Sequence, residues 1–496
     1  MDASDQLAAS ILGNLTPIWS QWFGLKPGPD LSPEDAESLA PILEKAAKTI
    51  QDHFDRSNFA VEIHQCYLDL VVGGTASLFF EEAEPGEFSA KARDGKLQPA
   101  TWQEAFAAIK AKVDQTAPEK IGAVAGDLAA VAEMYALKQL MAGLGSPSLA
   151  CRQDGGQLDP ANGRGSYLFN TTIAGIEDAD ALLIIGANPR FEAAVLNARI
   201  RKRWRLGGFP IGVIGENANL RYDYTYLGAG TDTLTDVAKA SQGFFDALKN
   251  AARPMIIVGS GAISGENGAG VLAAAAALAR EIGAFDDGWN GFNVLHTAAS
   301  RVGGLDIGFT PGEGGKTFAE MTSGGVDVLF NLGADEAEIA PGPFVVYVGT
   351  HGDRGAHRAD VILPGAAYTE KDGTFVNLEG RAQVSSRAAF PPGDAREDWA
   401  IIRALSAVLG KTLPFDSLAA LQRELYQAHA FMRSDRVEPA GHDGILALAD
   451  RAGSLGTGQL ASKLGDFYLT NPIARASKVM AECSRLAAGE QLQAAE

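Results

Sequence analysis

Short apolar runs that end in glycine or at a turn recur along the chain from residue 93 onward, and amphipathic segments separate them. A short apolar run is typical of a strand buried on both faces, whereas apolar positions at intervals of three and four are typical of a helix. The predicted strands are Ile121–Gly126, Ala181–Gly186, Ile211–Gly215, Met255–Gly259, Val326–Leu332, Phe344–Gly349 and Val361–Leu363. The predicted helices include Ala129–Leu144, Phe191–Arg205, Gly270–Ile282 and Asp398–Leu409. This alternation predicts an α/β fold with doubly wound, mainly parallel sheets.

The same pattern suggests where domains begin and end. Pro254 restarts the strands after an irregular stretch at Asn217–Asp236, so we predict one α/β subdomain at residues 93–253 and a second at residues 254–414. A helical tail at residues 415–496 follows.

Residues 1–92 differ in pattern from the rest of the chain. Prolines interrupt their apolar spacing, and Ser32-Pro33-Glu34 has the residues of a helix start, so we predict a helix from there to about His53. Further elements are predicted at Ile63–Val72, as a helix, and at Ala76–Phe80, as a strand. The segment is expected to be small and mostly helical.

The charge balance narrows the class of partner. The formal net charge is −19, and residues 1–92 contribute −10 of it, from 15 acidic and 5 basic residues. Nucleic acids and anionic membranes are themselves polyanions, so neither is an expected partner. No apolar run reaches the ~18 residues of a membrane span, and Met1–Asp5 lacks the basic start of a signal peptide. We expect a cytoplasmic protein without direct membrane insertion.

The cysteines limit the redox chemistry that the chain can perform. Cys66, Cys151 and Cys483 are its three cysteines, and they are far apart. An iron–sulfur cluster generally needs about four cysteine ligands in close groups. No cluster and no metal site is therefore expected. Arg152 beside Cys151 would favour a reactive thiolate, but a buried, structural thiol is the preferred interpretation.

A family resemblance is carried by the stretch Ala359–Gln383, in which the apolar run Val361–Leu363 is closed by Pro364-Gly365. It resembles the signature of the molybdopterin oxidoreductase superfamily, and its wording is most similar to the family of the large peripheral-arm subunit of respiratory complex I (NADH:quinone oxidoreductase). Further similar segments are Asn170–Gly175, Gly186–Glu192, Asn197–Lys202, Glu397–Trp399 and Asp466–Thr470. The resemblance extends from about Arg93 to the C-terminus.

This resemblance implies a scaffold. In that family an N-terminal ferredoxin-like part carries the iron–sulfur clusters that pass electrons from NADH towards quinone, and this sequence does not contain it. We expect the retained domain to hold other peripheral-arm subunits, peripheral to the inner membrane through its complex, with no cofactor and no catalytic set of its own. The C-terminus is expected to be complete and the N-terminus replaced. A molybdopterin-dependent oxidoreductase is the alternative.

Residues 1–90 resemble a different family, the phage head-to-tail connector (portal) proteins. The resemblance is carried by Asp5–Ala9, Trp22–Leu25, Arg56–Phe59 and Leu68–Ala76. The chain is then a chimera with a joint between Glu81 and Arg93, and a connector fragment is a further alternative for its function.

Two groups of residues are candidates for binding. Gly186, Asn188 and Pro189 follow a predicted strand, and the resemblance implies that they are a vestige of the loop that holds the pterin nucleotide; the alternative is a tight turn. The basic residues Arg199, Arg201, Lys202, Arg203 and Arg205 lie on one predicted helix. Contact with an acidic partner and plain solvation are both open for them.

Overall fold

The computed structural model describes Leu25 and residues 39–49, 89–93, 96–265, 267–286 and 288–489. By internal contacts the chain divides into two units, Met1–Glu84 and Pro85–Glu496. In the first unit residues 39–49 are helical, which agrees with the helix predicted to reach His53. The predictions at Ile63–Val72 and Ala76–Phe80 lie outside the described residues.

The second unit contains strands and helices in alternation. Its strands are β1 (Ser89–Arg93), β2 (Lys96–Ala100), β3 (Ile121–Ala125), β4 (Ser148–Ala150), β5 (Ala181–Ile185), β6 (Ile211–Ile214), β7 (Thr225–Gly228), β8 (Pro254–Val258), β9 (Phe285–Asp286), β10 (Trp289–Asn290), β11 (Phe292–Val294), β12 (Val328–Leu332), β13 (Phe344–Gly349), β14 (Val361–Pro364), β15 (Gly373–Val376) and β16 (Ala382–Ser385). The apolar runs of the sequence become these strands within a few residues.

The longer helices of this unit are α1 (Trp102–Val113), α2 (Val131–Leu144), α3 (Ala194–Trp204), α4 (Gln242–Lys249), α5 (Gly268–Glu281), α6 (Asp398–Val408), α7 (Leu418–Ala428) and α8 (Lys478–Ala487). Shorter helices are Thr172–Gly175, Pro189–Glu192, Thr231–Thr235, Val237–Ala240, Ser260–Ile263, Arg301–Asp306, Phe318–Glu320, Arg354–His357, Asp443–Ala449 and Pro472–Ala476. The N-terminus of α1 has the predicted capping box, in which Thr101 and Glu104 bond each other's backbone N–H.

Two sheets form the body of the unit. The larger sheet has the strand order β2-β1-β14-β13-β12-β3-β4, and the smaller has the order β11-β8-β5-β6-β7. All pairs in the smaller sheet are parallel. In the larger sheet only the pairs that involve β1 are antiparallel. The predicted mainly parallel α/β architecture is therefore confirmed.

The strand order corrects the predicted subdomain boundaries. β5 and β8 are neighbours in one sheet, although the boundary at residues 253/254 separates them, and β3 pairs with β12 across more than 200 residues. The boundary at 92/93 falls inside β1, which pairs with β14. Pro254 therefore begins another strand of the same sheet, and the smaller sheet is an insertion between two parts of the larger one.

Apolar side chains cover both faces of each sheet. Along β5, Leu183 and Ile185 lie in the main core, and Leu182 and Ile184 lie in a second cluster with α3. The main core also contains residues of β3 and β12, so it is shared by the two sheets. Such burial on both faces explains why the strands are almost uniformly apolar.

Candidate functional site

A cleft of about 990 Å³ lies at the carboxyl ends of strands from both sheets. Its walls include Asp127 after β3, Glu192 after β5, Ser260 after β8, Glu336 after β12 and Asp353 after β13. Ligands of open α/β sheets bind at this edge, because the loops of neighbouring strands meet there. The cleft is therefore the candidate ligand site of the fold.

The predicted nucleotide loop lies on the border of this cleft. Gly186 has a φ of +61°, and its N–H donates to the carbonyl of Ile214. The N–H of Asn188 donates to Oε1 of Glu192 at 2.7 Å, and its side-chain amide donates to Glu216. Pro189 has no N–H to offer. The backbone donors of this loop are thus satisfied within the protein, and two carboxylates surround Asn188.

The lining of the cleft is acidic. Burial raises the pKa of the Glu192 carboxyl, which lines the wall next to the loop. The carboxylates are Asp127, Asp154, Glu192, Glu336, Asp353 and Asp466, and the cations are Arg354, Lys463 and Arg475. An anion that entered this cleft would meet more negative than positive groups.

A buried guanidinium lies beneath the cleft. The side chain of Arg301 is 2% exposed, and Nη1 lies 3.0 Å from Asp154 while Nη2 lies 3.7 Å from Asp127. Burial raises the pKa of Asp127 to about 6, although the charge of Arg301 opposes the rise. Burial also acts on Asp154, but the charge and hydrogen bond of Arg301 bring its pKa below the usual value. Arg301 therefore holds two acidic loops, after β3 and β4, against the core.

The thiol of Cys151 is fully buried, as the preferred interpretation of the sequence predicts. Burial raises its pKa to about 11, despite the nearby charges of Arg301 and Arg152. Burial likewise lowers the pKa of His296 to about 4, and its Nε2 lies 2.6 Å from the carbonyl oxygen of Tyr167. Neither group has the protonation state of a neutral-pH nucleophile or acid. The reactive-thiolate alternative is wrong.

The C-terminal tail lies across the same edge of the smaller sheet. The N–H of Leu460 donates to the carbonyl of Ala229 at 2.8 Å. The carbonyl oxygens of Leu460 and Ala461 approach Gly215 and Gly261 so closely that a Cβ at these glycines would lie 2.6 and 2.0 Å away. The tail backbone thus occupies the close approach that glycines at this edge permit. The sequence pattern predicts a tail of helix and loop but not its path.

Arg475 fastens the tail to the larger sheet. Its guanidinium lies 2.5 Å from both Glu336 and Asp353, in the loops after β12 and β13. The helix predicted over Asn471–Ala488 is present as two helices, Pro472–Ala476 and α8, with Ser477 between them in an extended conformation that caps α8. The tail therefore contacts loops of both sheets.

A buried ionic cluster lies in a second place, beside a small cavity of about 50 Å³. Lys371, in the signature stretch, bonds Glu133 at the start of α2 at 2.7 Å and also bonds Asp398 at the start of α6. Burial raises the pKa of Glu133 to about 8, because one ammonium serves two carboxylates. The pKa of Lys371 is raised by both carboxylates against the opposing effect of burial. Sequence reasoning missed this cluster, because its three members are far apart in the chain.

Two further residues of the signature stretch join distant segments. The predicted role of Glu379 and Arg381 is to anchor their own loop. Glu379 instead accepts the N–H of Ile173 at 2.7 Å, within another segment similar to the family, and Arg381 donates to the carbonyl of Asp435. The segments that resemble the family are therefore brought together in space.

The five predicted basic residues have different surroundings on α3 and its C-terminus. Arg199 and Lys202 both bond Glu177 at 2.7 Å, and Arg203 donates to the carbonyl of Ala179. Arg201 donates to the carbonyl of Arg221, and Arg205 is exposed. Contact of this cluster with a partner stays a prediction.

In the part of the chain that the structure describes, no group of three or more His, Cys, Asp or Glu side chains could hold a metal ion. Within the same residues, no helix has both the length and the apolar character needed to cross a membrane.

The two sheets and the cleft between their carboxyl edges define the fold of molybdopterin-dependent enzymes. The chain belongs to the molybdopterin oxidoreductase family, whose model matches residues 89–408. Residues 436–483 match the C-terminal domain of the large, G-type chain of NADH-ubiquinone oxidoreductase, and residues 1–96 match the bacteriophage head to tail connecting protein. Both predicted resemblances are thereby confirmed.

Curated relatives come from complex I. The NADH dehydrogenase [ubiquinone] iron-sulfur protein 1 of Solanum tuberosum mitochondria is 39% identical, with 79% of this chain and 53% of that protein covered. The mitochondrial NADH-ubiquinone oxidoreductase 78 kDa subunit of Neurospora crassa is 40% identical, with 79% and 54% covered. The chain thus spans about half the length of these relatives.

A solved structure supports the fold alone. Acetylene hydratase from Pelobacter acetylenicus is similar with a TM-score of 0.50 at 14% identity, over 80% of this chain and 70% of that one.

The family name implies a pterin cofactor, whose nucleotide carries phosphate. The residues at the cleft do not fit such a group, because Glu192 takes the N–H of Asn188 and carboxylates outnumber cations on the walls. The tail backbone also fills the close approaches to Gly215 and Gly261. No chemical step is therefore derived through a pterin.

Proposed function

We propose that these 496 residues are the scaffold portion of the peripheral-arm subunit of NADH:quinone oxidoreductase. The chain supports electron transfer from NADH to quinone by holding neighbouring subunits, and it catalyses no step itself. Its identity of 39% and 40% to complex I subunits over 79% of its length supports this assignment.

The observation that carries the proposal is the state of the cleft. Residues 456–475 lie over the edge at which this fold binds its ligands, and Arg475 fastens them to the loops after β12 and β13. A carboxylate satisfies the loop N–H that would otherwise serve a phosphate. A cleft arranged in this way favours a structural role over molybdopterin-dependent oxidation, and we propose that it binds no molybdenum.

We further propose that this chain carries no iron–sulfur cluster. Its three cysteines are too few for a conventional four-thiolate site, and Cys151 is buried with a raised pKa. In the family the clusters belong to the N-terminal ferredoxin-like part. The partners are other peripheral-arm subunits, and the protein is cytoplasmic, attached to the inner membrane through its complex without inserting into it.

Metal analysis and co-purification test this proposal together. Mass spectrometry of metals in the purified full-length chain is expected to find far less than one atom of iron or molybdenum per chain. Affinity purification of the tagged chain from its host is expected to bring complex I subunits with it. One molybdenum atom per chain would overturn the scaffold in favour of an enzyme, and co-purification of virion proteins instead would favour the connector assigned to residues 1–96.

A further inference from the structure

A groove of about 390 Å³ runs along the outer face of α3 and is lined by Ala198, Arg201, Lys202, Arg205 and Leu206. We call it the α3 groove. These residues follow the helical spacing of three and four, so they share the face opposite the buried residues Leu196, Asn197 and Ile200. The groove is separate from the cleft described above, because none of its residues lines that cleft.

The charges of the groove are unequally neutralised. Glu177 holds Lys202, and it also holds Arg199 on the flank of the helix. Among the described residues, no carboxylate lies within ion-pair distance of Arg201 or Arg205. Arg201 donates only to a backbone carbonyl, that of Arg221, whose own side chain is exposed beside it. The positive charge on this face is therefore available to an outside anion.

Apolar side chains accompany these cations. Val195, one turn before Ala198, is 85% exposed, and Leu206 at the end of the groove is 77% exposed. Exposed apolar side chains next to unneutralised arginines are the composition of a protein-binding surface, where Arg is enriched. Solvation alone accounts for the cations but not for the valine and the leucine.

We propose that the α3 groove docks an acidic, extended segment of a neighbouring protein subunit, with carboxylates on Arg201 and Arg205 and apolar side chains against Val195 and Leu206. The inference rests on the proposed function, since it names how the scaffold holds one neighbour. The 11 residues of α3 span about 16 Å, which an extended segment of about five residues matches.

Charge separates this occupant from other polyanions. A nucleic acid or an anionic bilayer presents negative charge over an area far larger than one helix face, and the chain as a whole carries −19. A short segment meets the local cations without approaching the acidic remainder. Complementary charge of this kind sets the orientation and association rate of a docked partner.

A peptide probe tests the proposal with the full-length chain. The probe is a fluorescein-labelled peptide, Gly-Glu-Leu-Glu-Glu-Leu-Glu-Gly, followed by fluorescence anisotropy at low and high salt. We expect binding that weakens as salt rises, and that weakens at least tenfold in the double variant Arg201→Glu, Arg205→Glu. A peptide with lysine in place of glutamate is expected not to bind.

The matched control is the double variant Lys411→Glu, Arg423→Glu, which changes the net charge equally at positions elsewhere in the chain. It is expected to bind the probe within twofold of the unaltered chain. Equal losses in both variants, or no binding of the acidic peptide, would overturn the proposal. Should the glutamate variant not fold, as judged by circular dichroism, Arg201→Gln, Arg205→Gln takes its place.

Two outcomes separate this inference from the proposed function. If complex I subunits still co-purify with the Arg201, Arg205 variant as well as they do with the control, the groove is overturned and the function stands. Phosphatidylglycerol vesicles that bind the unaltered chain and not the variant would assign the groove to a membrane and overturn the protein partner.

Discussion

The ammonium nitrogen of Lys371 lies 2.7 Å from Oε2 of Glu133, although 238 residues separate the two in the sequence. Asp398 completes the cluster from the start of α6. All three side chains are buried, so the cluster ties the signature stretch to two helices inside the core. It gives Lys371 a structural role that its type alone does not reveal.

Replacing Lys371 with methionine is expected to lower the free energy of unfolding by about 3–5 kcal/mol, because it leaves buried carboxylates without their cation. Urea denaturation followed by circular dichroism measures the change. The control is Lys110→Met, which removes an exposed pair with Asp114, in which the side chains are 42% and 54% exposed. That change is expected to cost less than about 1 kcal/mol. Equal costs would contradict the role of Lys371.

Stability is expected to fall as the pH rises from about 6.5 to about 8, because of Glu133. Its ordinary pKa is 4.5 and its pKa in the fold is about 8, so between these values the folded chain holds a proton that the unfolded chain has released. This contribution is fully present below pH 4.5 and is lost as the pH rises through about 8. The slope is no more than about 1.4 kcal/mol per pH unit.

Denaturation at the two ends of this pH range measures the slope, and Glu133→Gln is expected to reduce it. Asp127, with a pKa of about 6, loses most of its contribution at lower pH, so it does not dominate this range. A slope that is the same in Glu133→Gln and in the unaltered chain would show that another group binds the proton.

Gly186→Ala is expected to destabilise the fold by about 3 kcal/mol or more, because the change combines left-handed strain with overpacking. The φ of Gly186 is +61°, and a Cβ there would lie 2.5 Å from the backbone nitrogen of Ala262. Gly207→Ala is the control, since Gly207 has a φ of +77° with no atom near the position of a Cβ. It is expected to cost about 1–2 kcal/mol. Thermal and urea unfolding would contradict the close approach if the two costs were equal.

The thiol of Cys483 is expected to react with iodoacetamide at least tenfold faster than that of Cys151 in mildly alkaline buffer. Cys483 is partly exposed on α8, whereas Cys151 is buried and its pKa is raised to about 11. Little thiolate forms at Cys151 under these conditions. Peptide mass spectrometry after timed labelling measures both rates, and Cys483→Ser identifies the signal. Similar rates would mean that the loop around Cys151 opens readily.

The strands were predictable because each is a local apolar run. Phe344–Gly349 is observed with the bounds that its pattern predicts, and the capping box of Thr101 and Glu104 is equally local. The order of the strands was not predictable in this way. Pairing of β3 with β12 depends on contacts between distant segments, and an apolar run carries no information about which other run lies beside it.

The candidate site was predictable only in its position. A glycine turn after a buried strand correctly indicates the sheet edge at Gly186, but the carboxylate that satisfies Asn188 comes from the turn that follows. The path of the tail past Gly215 and Gly261 depends on backbone approach, which leaves no periodic signal. Lys371 and Glu133 are likewise single charges whose partners only the fold reveals.

The insertion of the smaller sheet within the larger one has a consequence for synthesis. The last strand of the smaller sheet ends at Val294, whereas three strands of the larger sheet end only at Leu332, Gly349 and Pro364. At about 5–20 residues per second, the ribosome needs about 4–14 s to add the intervening stretch. During that interval the nascent chain has every strand of one sheet, while β3 still lacks β12 and presents an apolar face that a chaperone would recognise.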